Sequence, residues 1–451
     1  MKKKSRIKIS VWQFLALGYL AVIVLGSVLL VLPFSSADGS GAYYIDALFT
    51  AASAACVTGL TPLNVGADWS LFGQIVILIL IQTGGLGFMT FVSTVFLLFK
   101  KNIGLYERRA FVAAGGGKFA GMTKLIKRIF IGTAIFEFLG AFILCFRFVP
   151  DFGWGDGIYF SIWHSVSAFC NAGFDLMGKY GGDSLTSYVA DPLVTLTLCA
   201  LIIVGGLGFC VWGDVTDSKC NPKKFQFNTK VVLFVSGILI FLSTWLFLLF
   251  EWNNPSYENF NFGQKLLASL FNAVAPRTAG FYSTAPSTLS ASGYILTLIL
   301  MFIGGSSGST AGGIKVGTLT VIIMGMIAVF RGRRDINIGK KRIDHALVSQ
   351  ALAIFAACFM LIMLAALAVC AIDGIPAEEA LFECVSALST TGLSMDINGA
   401  SCTSALSIYS KIIIILLMYA GRVGILTLAL ALGEKRTTAE IRRPVDTLLL
   451  G

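Results

Sequence analysis

Long apolar blocks alternate with short polar segments along the whole chain. The blocks Trp12–Phe34, Leu71–Phe99 and Ala346–Ile372 contain no charged residue. A hydrocarbon core about 30 Å thick needs roughly 20 apolar helical residues to be crossed, and the chain holds about eight blocks of that length. The pattern predicts an all-α integral membrane protein that crosses the lipid bilayer with eight spanning helices.

Four shorter apolar stretches between these blocks align with one another without gaps. Each ends in a glycine that has Ala five residues before it and Leu or Phe directly after it, and the glycines recur at intervals of 114, 107 and 112 residues. A helix of about ten to twelve residues is too short to span and is typical of a re-entrant segment. The repeat predicts four units in tandem, each with a spanning helix, a re-entrant pore helix, a glycine turn and a second spanning helix. The predicted units are 1–105, 106–222, 223–338 with a broken second helix, and 339–451 with a C-terminal cytoplasmic tail.

The four glycine turns predict a cation site. Non-helical backbone at membrane depth is tolerated where it lines a water-filled cavity or is buried in protein, so four such turns around one axis indicate a pore with fourfold pseudosymmetry. The C-terminal end of each short helix carries roughly half a negative charge, and backbone carbonyls can replace the hydration shell of a potassium ion. A single glycine could serve only as a helix C-cap, but four in register favour a selectivity filter. The predicted ion-binding residues are Cys56, Val57, Thr58, Gly59, Asn171, Ala172, Gly173, Arg277, Thr278, Ala279, Gly280, Thr390, Thr391 and Gly392.

Basic residues are concentrated in every second loop. Since Lys and Arg stay on the cytoplasmic side, this alternation predicts that both termini are cytoplasmic. The formal net charge of +10 then reflects membrane topology, and nucleic acid is not predicted as a partner because no basic stripe with stacking aromatics lies outside these loops. The clusters are Lys2–Lys8, Lys100–Arg128, Lys219–Lys230, Arg331–Arg342 and Lys435–Arg443.

One second helix is interrupted by a run of ten small or hydroxyl residues, which cannot hold a stiff helix. Broken helices mark ion sites in many transporters. Arg422 aligns with a glycine of the other second helices, and an ionisable residue inside a spanning helix indicates function or, alternatively, a structural pair. The predicted gate comprises Gly304, Gly305, Ser306, Ser307, Gly308, Ser309, Thr310, Ala311, Gly312, Gly313 and Arg422. The aligned motifs Gly84-Gly85-Leu-Gly87 and Gly205-Gly206-Leu-Gly208 are instead predicted to serve close helix packing.

The four turn motifs resemble the half-filters of the Trk/Ktr/HKT superfamily of potassium transporters, and the bacterial Ktr membrane subunit in particular. The resemblance covers nearly the whole chain and implies potassium as the transported ion, with sodium as a second candidate and no organic cofactor. It also implies a homodimer in the bacterial plasma membrane and a cytosolic, ring-shaped nucleotide-binding regulatory partner. In that superfamily a glycine at the first filter position, here Gly59, accompanies potassium selectivity. The motifs are Cys56-Val-Thr-Gly59-Leu, Asn171-Ala-Gly173-Phe, Arg277-Thr-Ala-Gly280-Phe and Ser389-Thr-Thr-Gly392-Leu.

Two other classes of protein deserve comparison. An alternating-access carrier for a small solute would show two inverted repeats, whereas these four repeats share one orientation. An intramembrane serine protease would match Gly305-Ser306-Ser307-Gly308, but its nucleophile needs a neighbouring histidine base, and neither His164 nor His345 is placed for that role. The predicted pore is compatible with sodium-dependent uptake, with proton symport and with a regulated channel.

Overall fold

A computed structural model describes residues 10–87, 122–333, 335–339, 341–397 and 400–433. The predicted boundary at 105/106, the basic clusters Lys2–Lys8 and Lys435–Arg443, and most of Lys100–Arg128 lie outside these residues. Fifteen α-helices and two small antiparallel sheets occur in the described part. They are α1 (Val11–Val31), α2 (Tyr44–Cys56), α3 (Leu71–Leu86), α4 (Met122–Cys170), α5 (Pro192–Leu207), α6 (Phe209–Asp217), α7 (Phe227–Phe250), α8 (Phe262–Val274), α9 (Ala291–Phe302), α10 (Val316–Phe330), β1 (Ile336–Ile338), β2 (Lys341–Ile343), α11 (His345–Asp373), α12 (Ala377–Ser389), β3 (Asp396–Ile397), β4 (Ala400–Ser401), α13 (Cys402–Ala405), α14 (Ile408–Val423) and α15 (Ile425–Leu432).

The helices follow the predicted repeat order. The short helix is α2 in the first repeat, α8 in the third and α12 in the fourth. In the second repeat, α4 joins the long helix and the short helix across a break at Gly153, whose φ is 81°. A residue without a Cβ adopts that angle at little steric cost, so the chain turns back there with almost no connecting loop.

The first helix of each repeat is long and apolar enough to span a bilayer. These helices expose large apolar side chains such as Leu25, Phe138, Phe241 and Leu364. An outer surface of this kind suits lipid rather than water. The short helices are buried instead, and from Phe49 to Cys56 every residue of α2 is covered. The glycine turns therefore lie in the middle of the molecule, surrounded by the spanning helices.

The second helices are bent at aligned glycines. Gly208 and Gly424 have φ values of 95° and 89°, and the helices on either side of them meet at 89° and 94°. Gly87, with φ of 79°, ends α3 at the matching position. The prediction that these glycine motifs serve packing is correct for Gly84 and Gly205 and wrong for the glycine three residues later, which ends the helix.

The packing role belongs to the first glycine of each motif. A Cβ on Gly84, Gly205 or Gly421 would overlap with a backbone carbonyl at the end of the short helix of the same repeat. Each second helix is thus packed against the residues that lead into the glycine turn, and its bend lies three residues further along the chain. The carbonyls belong to Ala55, Phe169 and Leu388.

Candidate functional site

The backbone at the four turns has an unusual conformation. Each glycine has positive φ, with values of 99°, 74°, 77° and 96° for Gly59, Gly173, Gly280 and Gly392. The residue two positions earlier also has positive φ in every repeat. A β-branched residue rarely adopts that angle, and each such residue costs of the order of 1–3 kcal/mol. These residues are Val57, Asn171, Thr278 and Thr390, three of them β-branched.

The four glycines form a closed ring. A Cβ built on Gly59 would lie 3.3 Å from the Cα of Gly173, and one on Gly173 would lie 2.7 Å from the Cα of Gly280. One on Gly280 would lie 3.3 Å from the Cα of Gly392, and one on Gly392 would lie 2.9 Å from the Cα of Gly59. Residues more than 300 positions apart in the chain are thereby brought together around one axis.

Four backbone carbonyls surround the same ring. The oxygen of Ala172 approaches the Cβ position of Gly59 to 2.5 Å, and the oxygen of Ala279 approaches that of Gly173 to 2.8 Å. The oxygens of Thr391 and Thr58 stand in the same relation to the glycines of the third and fourth repeats. In every case the carbonyl before one glycine faces the glycine of the preceding repeat. Such an arrangement offers a cation oxygen ligands from all four repeats.

Two serine side chains form hydrogen bonds with the backbone of the turns. Ser53 Oγ accepts a hydrogen bond from the backbone nitrogen of Gly59, and Ser386 Oγ accepts one from Gly392, both at 3.0 Å. The equivalent Ser167 of the second repeat has no hydrogen-bond partner for its Oγ among the described residues. The backbone carbonyls of all three serines accept a hydrogen bond at 2.8 Å from the residue before the glycine, namely Thr58, Ala172 and Thr391. The sequence analysis missed these residues, although a serine six positions before the glycine in three repeats could have indicated them.

Two predicted filter residues direct their side chains away from the ring. Arg277 is buried, and its Nη2 donates to Ser236 Oγ on α7 at 3.4 Å. With its amide nitrogen as donor, Asn171 reaches the carbonyls of Ala168 and Ile202 at 3.0 and 3.2 Å. The side chain three positions before the third glycine thus points outward to the surrounding helices, and the place of Arg277 in the filter stays a prediction about its backbone.

The glycine-rich segment 304–313 forms a loop against the ends of the short helices. Ser306 N donates to the carbonyl of Gly206 at 3.0 Å, and Phe209 N donates to that of Gly308 at 2.9 Å. Thr310 Oγ1 donates to the carbonyl of Phe169 at 3.3 Å, at the end of the short helix of the second repeat. The loop is thus anchored to α5 and α6 and lies directly beside the turns.

Two partly buried cations bind this loop. The guanidinium of Arg422 donates to the carbonyl of Thr310 and to those of Gly84 and Gly85 at the end of α3. Lys315 Nζ donates to the carbonyls of Ala311 and Gly312 at 2.7 and 3.2 Å. The sequence analysis missed Lys315, although it is a charge at the end of a run without charges. A cavity of about 300 Å³ next to the loop is lined by Gly87, Ser309, Lys315, Arg422 and Gly424, among others.

An acidic residue follows the second turn directly in the chain. Asp175 follows Gly173 by two positions and accepts a hydrogen bond from the Met177 nitrogen at 3.0 Å. Burial raises the pKa of Asp175 to about 6, the Met177 hydrogen bond opposes this shift, and the nearby charge of Asp183 adds to it. Asp175 also acts electrostatically on Tyr282, the residue at the same register in the third repeat.

The family model of the cation transport proteins named TrkH matches residues 12–436. The chain belongs to this family. The potassium/sodium uptake protein NtpJ of Enterococcus hirae is 40% identical over 100% of this chain and 99% of its own length. The Ktr system potassium uptake protein B of Bacillus subtilis is 38% identical over 97% of this chain and 96% of its own. The crystal structure of the potassium transporter TrkH from Vibrio parahaemolyticus superimposes with a TM-score of 0.73 at 20% identity, covering 96% of this chain and 87% of that one.

These matches confirm several predictions for this TrkH-family member. The resemblance to the Trk/Ktr/HKT superfamily and the all-α fold with pore-loop repeats are both confirmed. The chain is a multi-pass membrane protein and an ion transporter, not an enzyme, so the protease alternative is excluded. Consistent with this, His164 is held in an aromatic cluster, with its Nδ1 2.8 Å from the carbonyl of Phe160 and its ring beside Phe148 and Phe281.

Proposed function

We propose that the chain takes up potassium across the plasma membrane of a bacterium through the ring of Gly59, Gly173, Gly280 and Gly392. The observation that carries this proposal is the closed ring of glycines with one carbonyl from each repeat around it. Its relatives are named as potassium or potassium/sodium uptake proteins, which gives the proposal further support.

The ring works by replacing water around the ion. A potassium ion that enters loses part of its hydration shell, and the carbonyls of Thr58, Ala172, Ala279 and Thr391 take the place of that water. The C-terminal ends of the four short helices add partial negative charge. Because each turn contributes a single glycine, the filter is short and holds few ions at once.

Arg422 and the loop 304–313 act as the gate of this pathway. A potassium ion about 6 Å from the guanidinium would be repelled by roughly 3 kcal/mol at an effective dielectric constant near 20. That barrier slows passage about a hundredfold. Arg422 also holds the loop through the Thr310 carbonyl. Opening therefore requires that the loop leaves Arg422 and the α5 carbonyls together.

The assembly follows the Ktr pattern. The chain forms a homodimer, both of its termini are cytoplasmic, and its basic inner loops dock a cytosolic nucleotide-binding ring. Relatives that are named as one protein of a Ktr system support the existence of further components. Co-purification from the native membrane tests this arrangement, and a preparation that contains only a monomer without a nucleotide-binding subunit would contradict it.

Uptake into liposomes tests the proposed function. Purified protein in liposomes with a potassium diffusion potential should take up rubidium-86 and should discriminate against sodium-22, and parallel runs with and without external sodium measure its coupling. Channel-like flux far above the turnover of a rocking carrier is expected when the loop is shortened. Protein that is folded but admits neither ion would refute the proposal.

A further inference from the structure

A buried positive charge lies beside the third turn without an opposite charge. Arg277 follows the short helix α8 and precedes Gly280 by three residues. Its side chain is only 9% exposed, and its Nε has no hydrogen-bond partner among the described residues. The long contact to Ser236 Oγ is its side-chain hydrogen bond, and no salt bridge to Arg277 occurs in the described part of the chain.

The other three turns are neutral at this register. Cys56, Cys170 and Ser389 occupy the position three residues before their glycines. All three are buried like Arg277, so the pseudosymmetric positions share their depth and differ in charge. The backbone of the four-glycine ring is therefore fourfold pseudosymmetric. The charge at this register is not, because only the third repeat carries an arginine there.

Helix ends take the role of a counter-charge for Arg277. It follows Val274, the last residue of α8, by three positions, so its charge lies near the C-terminal end of that helix. Its side chain shares a cavity of about 20 Å³ with Gly206 and Leu207, at the end of α5. The C-terminal end of a helix is partly negative. The same dipole of α8 points at the glycine ring, where it would otherwise serve an ion.

We infer that Arg277 sets the affinity of the ring for cations by weakening it. This inference rests on the proposed function and deepens it. The fixed charge of Arg277 offsets the contribution of α8, so the third quarter of the ring attracts cations less than the other three. A site that conducts must bind an ion well enough to admit it and weakly enough to release it. Arg277 makes binding weak enough for release of the ion, and it does so without contacting the ion.

Exchange of the charge for the residue of the other repeats tests the inference. Arg277→Cys should lower the external potassium concentration for half-maximal uptake about tenfold, the size expected for a unit charge roughly 10 Å away at an effective dielectric constant near 20, and should leave the maximal rate equal or lower. Arg277→Lys keeps the charge and should stay within about twofold of the unmodified protein. Cys170→Ser, a neutral exchange at the same register, should change nothing.

Ion valence separates an electrostatic role from a structural one. Since a divalent ion feels twice the energy of a monovalent one, external barium should inhibit Arg277→Cys and Arg277→Gln at about hundredfold lower concentration. A barium shift no larger than the potassium shift, or an Arg277→Lys variant that behaves like Arg277→Cys, overturns the inference. Failure of both neutral variants to yield a monodisperse protein overturns it as well, because Arg277 would then be needed for folding. Failure of the proposed function is a different result, in which the unmodified protein takes up no potassium.

Discussion

At the scale of single residues, the four ring glycines are constrained both by backbone angle and by space. Replacement of Gly59, Gly173, Gly280 or Gly392 by Val should abolish high-affinity uptake, because the new Cβ would overlap with the neighbouring repeat and the positive φ is unfavourable for a β-branched residue. Gly59→Ser should raise sodium entry relative to potassium. Rubidium-86 and sodium-22 uptake measure both effects. Gly181→Ala is the control, since Gly181 has φ of 72° but no atom within 4 Å of its Cβ position, and its uptake should be normal.

The serines behind the turns allow a second comparison. Ser53→Ala and Ser386→Ala leave a buried backbone N–H without its acceptor, which costs about 1–3 kcal/mol. Each variant should therefore lose about tenfold in potassium-over-sodium discrimination. Ser167→Ala should not, because Ser167 Oγ has no hydrogen-bond partner in the described residues. Equal losses in all three variants would show that these serines matter only for packing.

A third prediction concerns the pH dependence of potassium uptake, which we expect to follow the carboxyl group of Asp175. The carboxyl of Asp175 attracts cations when it is ionised. Because its pKa is raised to about 6, acidification from pH 7.5 to 5 should neutralise it and raise the half-saturating potassium concentration severalfold. Asp175→Asn should have the higher value at both pH values and lose this pH dependence. Asp38→Asn, at an exposed loop residue with a lowered pKa, should retain it.

Sequence reasoning at this scale succeeded where spacing carries the information. Four glycines in register predicted turns that the structure brings together in a ring, and a charge in an apolar helix grouped Arg422 with the loop that it contacts. The outward direction of the Arg277 side chain and the hydrogen bonds from Lys315 to the loop carbonyls depend on which helices pack around these residues. The packing of these helices is set by tertiary contacts, which no local sequence pattern reveals.

At the scale of elements, the loop 304–313 and Arg422 should behave as one unit. Arg422→Ala should speed uptake by up to about a hundredfold, and Arg422→Lys should do so less because it keeps the charge. Shortening of Ser306–Gly312 should also speed uptake and retain selectivity. The combined variant should add little to either change, as expected for residues that share one interaction. Initial rates in liposomes measure these effects, with Arg147→Ala, which breaks an ion pair with Asp191, as the control. Slower uptake by a folded Arg422→Ala protein would indicate a structural pair instead of a barrier.

The bends of the second helices could not be predicted from the sequences of these helices alone. A glycine inside an apolar stretch is tolerated in a helix, so Gly87, Gly208 and Gly424 gave no reason to predict a break. The bend arises because the preceding turn is fixed against the short helix. In the third repeat the break was predictable, since ten weak helix formers occur together.

At the scale of the whole molecule, one ion pair joins the first repeat to the last. Lys411 Nζ on α14 lies 2.7 Å from Asp46 Oδ1 on α2, and the side chains are only 11% and 14% exposed. Loss of one partner from a buried pair costs about 3–5 kcal/mol, so Asp46→Asn should lower the thermal unfolding temperature of the purified protein by several degrees. Asp335→Asn breaks a pair exposed by 50% or more and should leave that temperature nearly unchanged. Similar temperatures for the two variants would contradict this role for the pair.

The ring described above is built from four separately encoded quarters of one polypeptide. In a channel made of four identical chains, a mutation reaches all quarters at once, and a single arginine becomes four. Here each quarter has its own stretch of sequence, so each can change by itself. One arginine beside the third turn and one in the last helix can therefore be selected without disturbing their three counterparts, and conductance can be adjusted by single, unrepeated charges.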